Sequence, residues 1–385
     1  MRIALYGPYL YQLAMGLREN SENEVRLFLD EETLPRSLLD ELAVRDRGFV
    51  EVGPWATRKA IIRPHKAPIT RLMAEYDVIL ATELGPIFAQ YTQTRFFFIP
   101  SGWDLTSGPF PIRTRSLRTR GAGDVSAAIV ALHLRKGIRA ASGIWGAPFA
   151  PLVDAANRLG CSLSADLPQP IDTDLFAPSA VPVTLKQPST LEIFHPTRMI
   201  LSRDPTLFEI GRWKGNDILF QGLVETIDQG IDVNLTLIDR GSSPDQALAI
   251  SIIDDLGLQS HVTWLHSGSE KGFTWSELVL LYQASDIVVD QFGGWFGLVS
   301  LEAASCAKPV INHVNKEVMD AMHPYGHPFI QAETSKEVSE KIELCRDPET
   351  RATIGSASRQ WVVEHHDRST VGRTCETILS NEGFK

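Results

Sequence analysis

Residues 290–311 read D-Q-F-G-G-W-F-G-L-V-S-L-E-A-A-S-C-A-K-P-V-I, from Asp290 to Ile311. The order is strand end, glycine-rich loop, helix, strand start. Ile287-Val288-Val289 just before it is β-branched and apolar, which suits a buried parallel strand. Gly293, Gly294 and Gly297 allow a sharp turn and a close approach to a ligand. Leu298 to Ala307 holds good helix formers without Gly or Pro, and Lys308-Pro309 stops that helix before Val310-Ile311. A loop of this kind presents free N–H groups and the positive end of a helix dipole, which suits a diphosphate or an electron-rich sugar hydroxyl. One turn further in, Glu302 is a lone carboxylate on an apolar helix, a residue that pairs with something or binds something.

Strand and helix signals alternate outward from this stretch in both directions. In the first half, strands are expected at Arg2–Tyr6, Val25–Leu29, Asp77–Leu80, Arg95–Ile99 and near Gly143-Ile144, with helices at about 9–18, 33–45, 125–140 and 150–158. Residues 46–68 read as irregular and 107–121 as a basic loop. Pro168 to Pro188 is proline-rich and reads as an interdomain linker. The alternation restarts at Leu191–Phe194, with strands at Val233–Ile238, Val262–Leu265 and 286–289 and helices near 215–229, 244–256 and 274–283. Residues 312–333 read as loop, and the chain closes in a helical tail. The expected domains are 1–170, a linker at 171–189, 190–360, and a C-terminal helix at 361–385 that crosses back to the first domain. The fold class is α/β.

A chain of 385 residues is long enough for two such domains, and 43% apolar with 22% charged residues is ordinary globular composition. No apolar run reaches the ~18 residues that span a bilayer, and Met1–Tyr6 does not read as a signal peptide. The four cysteines, 161, 306, 345 and 375, have no framework or metal-like spacing. These features predict a cytoplasmic protein. The net charge of −10 is uneven: residues 1–171 carry 20 Lys/Arg against 17 Asp/Glu, and the rest carry 17 against 30. The acidic half excludes nucleic acid as a partner. The basic run 112–121, with Arg113, Arg115, Arg118 and Arg120, reads either as a solvated face or as a contact for an anionic acceptor or a peripheral membrane surface.

The run F-G-L-V-x-L-E-A-x-x-x-x-x-P-V (296–310) resembles the nucleotide-sugar signature of the retaining glycosyltransferases of family 4. The resemblance implies a GT-B fold, two Rossmann-like domains facing each other across a cleft, the first binding the acceptor and the second the donor. It implies sugar transfer from a nucleoside diphosphate sugar to an acceptor hydroxyl with retention, with no metal and no other cofactor. It assigns Glu302 to the ribose hydroxyls and Gly297 and Leu298 to the donor through their amides, beside Phe296. Family members carry two glutamates eight positions apart; the first falls on Gly294, which removes a charged acceptor next to Trp295 and points to an unusual donor sugar or an idle site. H-P-T-R (195–198) and K-G-N-D (214–217) match the family's cations, so Arg198 and Lys214 would grip the diphosphate as its charge grows in the transition state. The spacer between them is longer than usual, which makes Arg212 a rival to Arg198.

Gly241 lies after a strand, where ligands of open α/β sheets bind, and reads equally as a turn glycine. Gly7 with Pro8 is a candidate loop for the donor's phosphates. G-W-D-L (102–105) resembles a family motif that puts Asp104 at the reacting centre; a turn cap is the alternative. His266 and His133 read as a loop and a packed histidine. Asp172-Thr173-Asp174 sits in P-I-D-T-D-L-F-x-P and reads as turn and cap, not as a metal motif. A catalytically inactive nucleotide-sugar-binding subunit is the alternative function. A dehydrogenase is disfavoured because neither half has G-x-G-x-x-G after its first strand.

Overall fold

In a computed structural model the described residues are 1–20, 22–44, 48–110, 122–179, 190–202, 204–241, 243–268 and 272–384. The arginines of the basic run 112–121, and residues 180–189 of the expected linker, lie outside them. The chain forms two units: residues 1–170 with 368–385, and residues 171–367.

Unit 1 contains six strands, β1 (Arg2–Tyr6), β2 (Glu24–Asp30), β3 (Val50–Gly53), β4 (Val78–Ala81), β5 (Phe96–Phe98) and β6 (Gly143–Ile144). They make one parallel sheet in the order β3-β2-β1-β4-β5-β6. Val78–Ala81 and Phe96–Phe98 are buried throughout, as expected of strands covered on both faces. Unit 2 repeats the scheme with β7 (Leu191–His195), β8 (Val233–Asp239), β9 (Val262–His266), β10 (Ile287–Val289), β11 (Val310–Asn312) and β12 (Ile330–Gln331). The order is β12-β11-β10-β7-β8-β9, again all parallel. Each sheet reverses its strand order once, at β1/β4 and at β7/β10, and crevices at such points lie outside the carboxyl ends of the strands.

Three stretches differ from the sequence expectation. Within 46–68, Val50–Gly53 forms β3 and Arg58–Ile62 a short helix. A four-residue edge strand carries little signal of its own; its pairing with β2, from Leu27↔Val50 to Asp30↔Gly53, makes it a strand. Within 312–333, Lys316–Met322 is a helix capped by the Asn315 side chain, which accepts from the Val318 amide at 3.0 Å, and β12 adds two residues to the sheet. The C-terminal tail is two helices, Pro348–His366 and Arg368–Asn381, and the units divide between Asp367 and Arg368, where the reading had the tail leave at 361. The first helix stays with unit 2, packed so closely on the Leu298–Ser305 helix that a Cβ at Gly355 would lie 2.0 Å from the Ala307 carbonyl oxygen. The second belongs to unit 1, where Arg368 pairs with Glu19 at 2.8 Å and Arg95 with Glu382 at 2.8 Å. All four cysteines are free. Among the described residues no helix is long and apolar enough to cross a membrane.

Candidate functional site

The reversal between β7 and β10 brings the motifs of unit 2 together. The segment after β7 is His195-Pro196-Thr197-Arg198; after β10 comes Asp290-Gln291, then the glycine loop and the Leu298–Ser305 helix. His195 is fully buried and bridges the two strand ends. Its Nδ1 lies 2.8 Å from the Val289 carbonyl and its Nε2 2.8 Å from the Asn216 Nδ2. The first contact needs a protonated Nδ1 and the second an unprotonated Nε2, so the ring is the neutral Nδ1–H tautomer. Burial, which pushes its pKa down to about 4, favours the same state.

Asp290 organises the turn. It is 2% exposed and accepts three bonds: from Thr197 Oγ1 at 2.7 Å, the Gly297 amide at 2.9 Å and Ser300 Oγ at 2.7 Å. Asn312 Nδ2 donates in turn to Ser300 Oγ at 3.0 Å. One carboxylate thus ties the end of β7 to the start of the Leu298–Ser305 helix. The Gly297 amide, read from the sequence as a donor-binding group, is spent on Asp290. Leu298 and Val299 lead the helix with amides that have no partner among the described residues.

Lys214 precedes the Asn216–Asp228 helix. Its ammonium donates to Gln291 Oε1, and its carbonyl accepts from the Phe292 amide at 2.9 Å. Burial lowers its pKa; the Asp290 carboxylate opposes this, and Arg198 and Arg212 add to it. Lys214 is therefore a cation among cations, held by a neutral amide. Arg198 and the rival Arg212 both line a cavity of about 780 Å³ with Ile238, Arg240, Gly241 and His266. The longer spacer between the two motifs has brought a second arginine to the same cavity. Gly241, at φ +86, donates its amide to Asp239 Oδ1 at 2.7 Å, and Asp239 Oδ2 lies 2.9 Å from His266 Nδ1.

Glu302 is 7% exposed, and Tyr282, itself fully buried, donates its hydroxyl to Glu302 Oε2 at 2.6 Å. Burial pushes the Glu302 pKa up to about 7, Asp290 raises it further, and the Tyr282 bond and Arg240 oppose. The carboxylate is thus oriented by one phenol and held close to its titration point.

Gly294 has φ +84, and its carbonyl accepts from the Asn315 amide at 2.8 Å. Its neighbour Gly293 lies so close to unit 2's other loop that a Cβ there would sit 2.4 Å from the Trp213 carbonyl oxygen. The backbone at 294 is left-handed, a conformation that costs a side chain with a Cβ about 1–2 kcal/mol. A glutamate is therefore disfavoured by backbone geometry as well as absent. Gly294→Glu is expected to lower unit stability by about that amount, and Gly294→Asn by distinctly less, since Asn tolerates this region. Equal melting temperatures for wild type and Gly294→Glu would contradict the assignment. The Phe296 ring is 3% exposed and packed among Trp295 (4.6 Å), Phe329 (5.2 Å) and Trp361 (6.4 Å). Its side chain is a core residue that anchors the helix start from beneath.

The candidates of unit 1 are turn residues in this geometry. Asp104 is fully buried and accepts from the amides of Glu83 (2.7 Å), Ser101 (3.1 Å) and Gly102 (3.0 Å) and weakly from Thr82 Oγ1 (3.4 Å). Burial raises its pKa to about 6 against those bonds. It holds Glu83 in a left-handed conformation, φ +52, after β4. Gly7, φ +111, packs on Thr82 and donates its amide to the Phe28 carbonyl at 3.1 Å. His133 sits half-buried on the Ala122–Ala140 helix, its pKa lowered by burial. In unit 2, Asp172 Oδ1 accepts from the amides of Asp174 (3.2 Å) and Leu175 (3.0 Å), a turn cap. No cluster suited to a metal ion occurs among the described residues.

Four site residues had drawn no role from the sequence: Asp290, Gln291, Tyr282 and Arg240. Asp290 and Gln291 open the decisive stretch, and their position directly after a buried strand was the available signal. Tyr282 lies in an apolar helix and gives none.

Residues 208–361 match the family model described as Glycosyl transferases group 1. A D-inositol 3-phosphate glycosyltransferase of Mycobacterium sp. strain KMS is 29% identical over 182 residues, 42% of this chain and 38% of that protein. One of Corynebacterium jeikeium is 26% identical over 166 residues, 42% and 37%. The chain therefore spans little more than a third of the length of these relatives. Among solved structures, Anabaena HepE in complex with UDP and glucose is similar with a TM-score of 0.64 and 19% identity, over 99% of this chain and all of that one. Sucrose-phosphate synthase from Thermosynechococcus elongatus is similar at 0.66 and 14%, over 99% of both chains.

Proposed function

We infer that this chain, which matches the group 1 glycosyltransferase model over residues 208–361 and shares its fold with the solved structures above, is a GT-B glycosyltransferase that moves a sugar from a nucleoside diphosphate sugar to an acceptor hydroxyl with retention. The observation that carries the reading is the convergence after β7, β8 and β10. The guanidinium groups of Arg198, Arg212 and Arg240, with no ion pair among the described residues, line a cavity of about 780 Å³. The Lys214 ammonium lies in electrostatic reach of Arg198 and Arg212, and the Glu302 carboxylate, oriented by Tyr282, in reach of Arg240. Such a set meets charge that grows on a departing diphosphate, and it does so without a metal ion. On this reading Arg198 and Lys214 hold the diphosphate, Leu298 supports it through its amide, and Glu302 accepts from the ribose hydroxyls. Gly241 with His266 lines the nucleoside side. The attack occurs on the face the nucleotide leaves, through an oxocarbenium-like state, with the leaving diphosphate taking the acceptor's proton.

The left-handed backbone at Gly294 bears on the alternative, an inactive binding subunit. A glycine favoured by the turn is not a mark of decay, and on this reading the transferred sugar is read by other groups than a carboxylate at 294. The test is a donor screen over UDP, GDP and ADP sugars, following hydrolysis and transfer, with the anomeric configuration of any product determined by NMR. Nucleotide binding without hydrolysis or transfer from any donor would replace the transferase reading with the binding-subunit reading. No binding of any nucleotide would end both.

Glu302 gives a further expected result. Its carboxylate accepts well only when ionised, and its pKa stands near 7. As pH falls through that value the charge is lost, so nucleotide affinity should fall between pH 8 and 6, by up to roughly tenfold per pH unit for a single proton. Glu302→Gln should bind less tightly at pH 8, with a flat pH profile. A profile unchanged by the substitution would make Glu302 structural.

A further inference from the structure

We propose that Arg240 is a third donor-binding cation and takes the phosphate nearest the ribose, leaving the outer phosphate to Arg198 and Lys214. This rests on the reading of the cavity as a donor site and adds a residue that no motif marks. Arg240 leaves the carboxyl end of β8 one residue before Gly241, and its Nη2 donates to the Pro196 carbonyl at 2.8 Å. That bond ties the guanidinium to the turn that also carries Arg198, and it uses one donor of five. The rest of the fork has no partner among the described residues.

The two carboxylates that line the same cavity are held by other groups and form no ion pair with its arginines among the described residues. Asp239 is occupied by the Gly241 amide (2.7 Å), Gln246 Nε2 (2.6 Å) and His266 Nδ1 (2.9 Å). Asp245 Oδ1 accepts from the amides of Leu201 (3.0 Å) and Ser202 (3.1 Å). Three arginines, Arg198, Arg212 and Arg240, therefore line one cavity with no ion pair among the described residues. Unpaired guanidinium groups on one cavity call for an anion, and the planar fork suits a phosphate.

Arg240 is distinguished from Arg212 in two ways. It is tethered, so less is lost in ordering it on a ligand. It also lies in electrostatic reach of both Arg198 on one side and Tyr282 with Glu302 on the other, and burial with Arg198 lowers its pKa while the other two raise it. A cation in reach of both the carboxylate assigned to the ribose and the arginine assigned to the outer phosphate is placed to meet the ribose-side phosphate of the diphosphate.

The experiment titrates UDP, UMP, GDP, GMP, ADP and AMP against wild type, Arg240→Gln, Arg240→Lys, Arg212→Gln and Lys214→Ala, at several salt concentrations. For the nucleotide that wild type binds, Arg240→Gln should weaken monophosphate and diphosphate by the same factor, roughly ten- to hundredfold for a lost charged hydrogen bond. Lys214→Ala should weaken the diphosphate only. Arg240→Lys should recover most of the loss. The salt dependence of monophosphate binding should become shallower in Arg240→Gln, a change that a purely structural arginine would not cause. Monophosphate affinity and salt dependence equal to wild type in Arg240→Gln would overturn the assignment, as would an equal loss in Arg212→Gln. If wild type binds no nucleotide, the donor reading itself has failed, which separates the two outcomes.

Discussion

Lys214→Ala is expected to reduce turnover by about 2–4 kcal/mol of transition-state stabilisation, which is roughly a thirty- to thousandfold loss. The argument is one of charge. On the transferase reading, the bridging oxygen of the diphosphate gains negative charge as its bond to the sugar breaks, and a fixed cation gains most at that moment. Lys214 is suited to this because it is not neutralised beforehand. Its partner is the Gln291 amide oxygen, its neighbours Arg198 and Arg212 work against its charge, and the nearby Asp290 carboxylate is already occupied by three donors. A diphosphate would relieve the strain on the ammonium, so its binding and the lysine's protonation support each other. Because burial lowers the Lys214 pKa, affinity for the diphosphate should be lost on the alkaline side at a lower pH than for a free lysine, and Lys214→Arg should move that loss out of range. Near-wild-type turnover and diphosphate affinity in Lys214→Ala would remove the residue from the site.

Asp290→Ala has the largest expected effect on stability, about 3–5 kcal/mol. Removing this carboxylate strands two buried donors, Thr197 Oγ1 and Ser300 Oγ, and the part-buried Gly297 amide, at about 1–3 kcal/mol for each buried donor left unsatisfied, in a shared network where the losses do not simply add. For a unit of this size that is a fall in melting temperature of roughly 10 °C. Asp290→Asn should recover part of the loss, since one amide oxygen still accepts. The substitution should also weaken nucleotide binding in the fraction that stays folded, because the Gly297 amide sets the start of the Leu298–Ser305 helix. An unshifted unfolding transition in Asp290→Ala would show that the carboxylate does not brace the turn.

Particular residues show what was legible before folding. The run Asp290–Ile311 carries its strand, loop, helix and strand in local terms: β-branched residues, three glycines, ten helix formers, then Lys-Pro. Each of those signals acts over a few residues, so the sequence by itself determined the parallel α/β class and the repetition of the scheme in both halves. The same locality explains Lys214 and Glu302 as candidates, since one stands just before a helix and the other one turn into a helix that the pattern already defines.

What stayed hidden depends on partners far away in the chain. Val50–Gly53 and Ile330–Gln331 are strands only because a neighbouring strand offers them a ladder. His195 reads as part of a binding motif, and only the contacts to Val289 and Asn216 make it a neutral strut. Asp104 reads either as a reacting carboxylate or as a turn cap, and the four donors that converge on it from residues 82–102 appear only in the structure. Tyr282 reaches Glu302 across 20 positions and Arg240 reaches the Pro196 carbonyl across 44. Gly294 looked like a lost glutamate, and its φ of +84 shows a turn that no glutamate would enter without strain. Hydrogen-bond partners and backbone angles of this kind are set when the strand ends of the sheet are brought side by side, and no pattern within a single segment encodes which ends will meet.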